Sequence, residues 1–140
     1  MDFGITLENK DLVEKAKIYA KEILFKRAAK YDREGRFPRE NFEDLSKVGF
    51  TTLTLPKKYG GRDLYSDPST YAMVLYELSK ACTNTAMLFH MHSSITHVIT
   101  FLGTEKQSKF YSKEVKNGKI FARVRNYCIY CIRSCTILKT

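Results

Sequence analysis

The sequence has no acidic residue after Glu114, no Lys, Arg, Asp or Glu between Lys80 and Glu105, and no apolar run of membrane-spanning length. Each absence excludes something. A helix that crosses a bilayer takes about 20 consecutive apolar residues, so no transmembrane segment is expected. The opening stretch MDFGITLENK lacks a basic region followed by an apolar core, so no secretory leader is read there and the expected location is cytoplasmic. In that reducing compartment Cys82, Cys128, Cys131 and Cys135 are expected as thiols or metal ligands rather than structural disulfides. No internal repeat or low-complexity segment precedes residue 122.

The missing acids also account for the charge. The chain carries a net +9 over 140 residues, and Lys119, Arg123, Arg125, Arg133 and Lys139 supply five of it, leaving +4 for residues 1–118. An excess that small, spread along segments that also carry Glu and Asp, reads as a solvated surface. No nucleic-acid-binding motif is present, and no nucleic-acid partner is expected. With 44% apolar residues the length allows one domain around one core.

What is there is helical periodicity with clear punctuation. Leu12, Ala16, Tyr19, Ile23 and Ala28 recur at helical spacing, which predicts an amphipathic helix over residues 8–31 that ends at Gly35. Pro38 sits where a first helical turn accepts proline, Phe42 and Leu45 share a face, and Gly49 is a left-handed stop. FTTLTLP, residues 50–56, alternates too regularly for a helix, and KKYGGRD then supplies a turn. Asp67 and Pro68 read as N-cap and first position of a third helix bearing Tyr71, Val74, Leu75 and Leu78.

A fourth helix is expected over residues 85–102. Leu88, Met91, Ile95, Val98 and Leu102 step as one apolar stripe, and the lack of charge on any face predicts a helix surrounded by protein or lining a cavity. Its second face, Ala86, His90, Ser93, Ser94 and His97, is small or weakly polar, which lets a backbone or a ligand approach closely. Thr104 to Gln107 has the form of a capping box for a fifth helix that buries Phe110, Val115 and Tyr111 and stops at Asn117 and Gly118. The expected fold class is all-α, a helical bundle of about five to six helices.

LPKKYGG (55–61), YELSKACTNTAMLFHMHSSI (76–95), FLGTEKQSKFY (101–111) and NGKIFA (117–122), preceded by REGRFPRENFEDLSKVGF (33–50), occur in order. Together they resemble the amino-terminal helical domain of the acyl-CoA dehydrogenases over about residues 5–122. The resemblance implies a flavoprotein of three parts, this helical domain, a middle β-domain and a carboxy-terminal helical domain, that binds FAD and oxidises an acyl-CoA between Cα and Cβ. A glutamate base takes the α-proton and the β-hydrogen leaves as hydride to the flavin. In the family that glutamate and most flavin contacts lie in the later domains, so no catalytic, flavin-binding or metal residue is expected in this chain. By the same resemblance Ala86, His90 and Ser94 correspond to residues lining the far end of the acyl pocket. Their small or weakly polar character fits a core between helices equally well. If they line the pocket, His90 makes its end polar and bulky, which suits a short, branched or aromatic acyl group.

From Arg123 the sequence departs from the family. RVRNYCIYCIRSCTILKT stands where the family continues into a β-strand, and a shifted reading frame or interrupted gene produces such a tail. The expected organisation is a family-like helical domain over residues 1–122 and an irregular tail over 123–140, the whole truncated and silent alone. The tail cysteines, at C-x2-C-x3-C spacing, supply three ligands where a zinc or iron–sulfur site takes about four. The resemblance places Cys82 at the start of a buried helix, so no metal is expected. His90 and His97 can share a helical face while His92 points elsewhere. Gly60 and Gly61, near Lys57, Lys58 and Arg62, read as a structural turn rather than a phosphate cradle. Two other readings remain: a flavin-dependent monooxygenase of the same superfamily, and a non-catalytic module that assembles with a separately encoded remainder. The expected partners are acyl-CoA, the missing domains and a second copy of the chain.

Overall fold

The structure is a computed structural model that describes residues 7–121; the tail and its three cysteines lie outside the described residues. The helices are α1 (Leu7–Tyr19), α2 (Phe25–Glu34), α3 (Arg39–Lys47), α4 (Pro68–Ala81), α5 (Thr83–Leu102) and α6 (Glu105–Lys116). Short 3₁₀ turns over Phe50–Thr52, Lys57–Tyr59 and Leu64–Ser66 complete the described residues, which contain no strand. The chain therefore forms the all-α bundle expected. No helix among the described residues is long and apolar enough to cross a membrane.

The punctuation works as local chemistry predicts. Gly35 takes φ 58 and bonds the Tyr31 carbonyl at 2.9 Å. The Asp67 carboxylate accepts the Thr70 amide at 3.1 Å at the head of α4. Thr104 and Gln107 form the reciprocal capping box.

The first predicted helix is one continuous rod of α1 and α2, joined by a π-helical turn over Ala20–Leu24, where the Phe25 amide bonds the Ala20 carbonyl. With that turn in place Leu24 is fully buried, whereas Ile23 and Ala28 of the predicted stripe are only half-buried. α4 is the central helix and packs against both α1 and α5, and α5 packs against α6. Phe42, Leu45, Val74, Leu78 and Phe89 are fully buried where these helices meet.

A buried polar network ties α3 to its neighbours. The Asn41 side chain donates to Thr85 Oγ1 at 2.9 Å and accepts from Arg27 at 3.1 Å, and the Asn41 carbonyl accepts from the Tyr19 hydroxyl at 2.9 Å. Arg27 continues to Asp44 at 2.9 Å, and Cys82 Sγ lies 3.2 Å from Thr85 Oγ1. Burial first, and Asp44 second, push the Tyr19 hydroxyl well above the usual phenol range, so it remains a donor.

Three expectations are corrected. The α5 stripe is not one buried face: Leu88 is buried, Met91 and Ile95 are half-buried, and Val98 and Leu102 are 42% and 74% exposed. The buried face is instead Thr85, Phe89, His92 and Thr96. α5 has 20 residues, about 30 Å, and α4 has 14, about 21 Å, so the end of α5 runs past its cover. Phe110 is 57% exposed, because α6 turns Ser108, Ser112 and Val115 inward. Residues 50–56 are a compact turn that buries Phe50, Thr51, Leu53, Thr54 and Leu55 in near succession, so their alternation has no pleated counterpart.

Candidate functional site

Ala86, His90 and Ser94 occupy α5 at four-residue intervals and so lie along one strip of it. Ala86 is 2% exposed and belongs to the core, whereas His90 and Ser94 are half-buried. Two tyrosines from other elements pack over the strip. Tyr71 comes from the first turn of α4 and Tyr65 from the Leu64–Ser66 turn, which is entered through Asp63 at φ 55. Their rings stack at 5.0 Å and 29°.

The Tyr71 hydroxyl and His90 Nδ1 share a hydrogen bond of 2.9 Å, and the Tyr65 hydroxyl and Ser94 Oγ share another of 2.9 Å. His97 extends the strip, with its ring 4.3 Å from that of Tyr65 and stacked on Phe101 at 5.7 Å. Burial pushes the Tyr71 hydroxyl far above the usual phenol range, so it stays protonated at any physiological pH. The strip is polar, aromatic and without formal charge on α5. It can bind and orient a neutral group, but it carries no carboxylate to act as a base.

The sequence pointed to His90, Ser94 and His97 as one face. Tyr65 was missed, since a turn residue has no periodicity to report it, and Tyr71 was read only as part of a helix face. The histidines do not form a metal cluster: His92 lies on the buried face, with Nε2 3.0 Å from the Thr51 carbonyl oxygen and Nδ1 3.0 Å from the Phe121 amide nitrogen. Among the described residues no group of three metal-ligating side chains converges.

Gly60 and Gly61 serve the turn. Gly60 takes φ 81 with the Lys116 side chain against it, and a Cβ on Gly61 would lie 2.0 Å from the Leu55 carbonyl oxygen. Both glycines are thus closed in by the chain itself and do not open a cradle for a diphosphate.

The family model for the acyl-CoA dehydrogenase N-terminal domain matches residues 6–119. The chain belongs to the acyl-CoA dehydrogenase family. It is 30% identical over 120 residues to the short-chain specific acyl-CoA dehydrogenase of Clostridium acetobutylicum, covering 85% of this chain and 31% of that protein. It is 32% identical over 120 residues to the acryloyl-CoA reductase (NADH) of Anaerotignum propionicum, covering 84% and 29%. Against the human mitochondrial short-chain specific acyl-CoA dehydrogenase the identity is 30% over 107 residues, covering 76% and 24%. The chain thus spans about a third or less of the length of these acyl-CoA dehydrogenase relatives. The matched residues contain the whole strip from Tyr65 to Phe101.

Proposed function

We propose that this chain forms the helical wall of the acyl-CoA site in an FAD-dependent acyl-CoA dehydrogenase, with Ala86, His90 and Ser94 lying against the acyl group. The observation that carries this reading is the uncharged strip of α5 on which His90 and Ser94 are half-buried beneath two tyrosines. An acyl chain is apolar and its far end makes few polar demands, so a charge-free wall suits it. Tyr65 and Tyr71 fill the space over His90 and Ser94, which favours a short, branched or aromatic acyl group. His90, held through Nδ1, has no partner for Nε2 among the described residues, which leaves that nitrogen for a polar substituent.

FAD enters this reading through the family, and when bound to the rest of the enzyme it would supply the hydride-accepting chemistry. The residues of this chain bind and orient the acyl group and exclude water from one side of it. The flavin and the base belong to surfaces outside the described residues, so the chain assayed alone with acyl-CoA, FAD and an electron acceptor should show no turnover.

A chimera tests the assignment. Residues 6–119 would replace the matching third of the Clostridium acetobutylicum relative. A flavin-loaded chimera should turn over a short acyl-CoA, and His90→Leu within it should shift kcat/KM toward longer chains by about tenfold. A folded, flavin-loaded chimera inert on every acyl-CoA would sink the proposal, and an unchanged chain-length preference in the His90→Leu variant would remove His90 from it.

A second reading, assembly with another polypeptide surface, is favoured by the end of α5. Phe101 and Leu102 are 75% and 74% exposed, and Val98 and Phe110 are exposed as well. Apolar side chains grouped in this way mark a surface that a further domain or a second copy covers. Concentration-dependent mass in solution would separate self-association from monomeric behaviour.

A further inference from the structure

His92 takes no part in the strip described above, yet it is fully buried with both ring nitrogens engaged. The Phe121 amide can only donate, so Nδ1 accepts and carries no proton; Nε2 carries it and donates to the Thr51 carbonyl. A neutral ring in one tautomer thereby joins the turn after α3, the middle of α5 and the chain leaving α6. The Phe121 ring lies nearly parallel to His92 at 6.2 Å and 17°, and edge-on to Tyr111 at 5.7 Å and 81°. Gly118, at φ 85, turns the chain back from α6. The Lys119 amide then bonds the Glu114 carbonyl at 3.0 Å, and its ammonium pairs with the Glu114 carboxylate.

We propose that His92 is a protonation-dependent latch on the segment that follows α6: the neutral ring holds Phe121 and the charged ring releases it. A proton on Nδ1 would set two N–H groups against each other and leave the Phe121 amide without its acceptor. Among the described residues nothing nearby answers the charge. The Phe50–Thr52 turn offers the Thr51 carbonyl and hydroxyl but no charge, and α6 offers Tyr111 and Glu114, the latter engaged by Lys119. On α4, Tyr71 is bonded to His90 and Glu77 to Lys80, while His90 and His97 lie on the other strip of α5.

Burial holds the imidazole at about 4, below its ordinary 6.5, against a smaller opposing effect of the Thr51 carbonyl. The sign follows from proton binding: the released ring binds protons more readily than the latched one. The latch is therefore fully closed above the ordinary histidine pKa and weakens as pH falls toward the latched value.

Amide hydrogen exchange on the whole chain tests this, with intrinsic rates removed. From neutral pH down to about 4.5, protection of the Phe121 amide should fall by about tenfold per pH unit below the ordinary histidine pKa, while Val74 and Leu78 in α4 keep theirs. His92→Gln retains an acceptor and a donor without a titrating group, so Phe121 should stay protected with no pH dependence beyond the intrinsic rate. His92→Leu should leave Phe121 unprotected at every pH. The proposal is overturned if wild-type Phe121 protection ignores pH, if it falls equally in His92→Gln, or if it is lost only together with Val74 and Leu78. Should His92→Leu fail to fold, the wild-type titration and the glutamine variant decide.

Discussion

Phe89→Ala is expected to lower the unfolding free energy by about 4 kcal/mol, read as a fall in the urea midpoint at constant slope. Phe89 has no exposed surface, and its ring stacks 6.4 Å from that of Tyr71 at 26°. Truncation removes the apolar contacts and leaves a cavity between two helices that cannot close without moving α4 toward α5. The loss should also reach the candidate site, because Tyr71 rests on Phe89 on one side and holds His90 on the other. In a chimera that still folds, the substitution should blur acyl-chain preference before it abolishes turnover. A cost below about 1 kcal/mol would mean that the ring is not packed as the structure shows.

Asn41→Leu should cost about 3 kcal/mol, although the new side chain is apolar and similar in size. The change strips Thr85 Oγ1 of its donor and Arg27 of one acceptor, all in a site where Asn41 has no exposed surface. The penalty comes from partners left behind rather than from volume. Thr85→Val in the same background should therefore recover about 1 kcal/mol or more, since removing both partners costs less than orphaning one. Strict additivity of the two substitutions would show that the Asn41 to Thr85 bond contributes nothing of its own.

The parts of this fold legible in the sequence are those where the chain bonds to itself. Gly35, the Asp67 and Pro68 pair, and Thr104 with Gln107 mark helix ends because their partners lie within a few residues. The orientation of α5 was not legible. Apolar spacing selects Leu88, Met91, Ile95, Val98 and Leu102, but the neighbours bury Thr85, His92 and Thr96 and let Val98 and Leu102 go. A helix with no charge on any face gives periodicity little to discriminate. The site was half legible in the same way. His90 and Ser94 were visible through their place in a family-like tract, while Tyr65 reaches the strip only because a turn folds over it.

The π-helical turn over Ala20–Leu24 sets the phase between two halves of one rod. The buried positions run Leu12, Ala16, Tyr19 before it, Ala20 and Leu24 within it and Tyr31 after it, a change of track by one residue. Deleting a single residue there would restore an unbroken α-helix and leave the composition almost untouched. Straightening the turn into α-helix without a deletion would instead rotate every later side chain on the rod by roughly 100° about its axis, carrying Arg27 away from Asn41 and Asp44, and Tyr31 away from Glu40. One residue of slack is thus a register mark: it tells the second half of the rod which way to face.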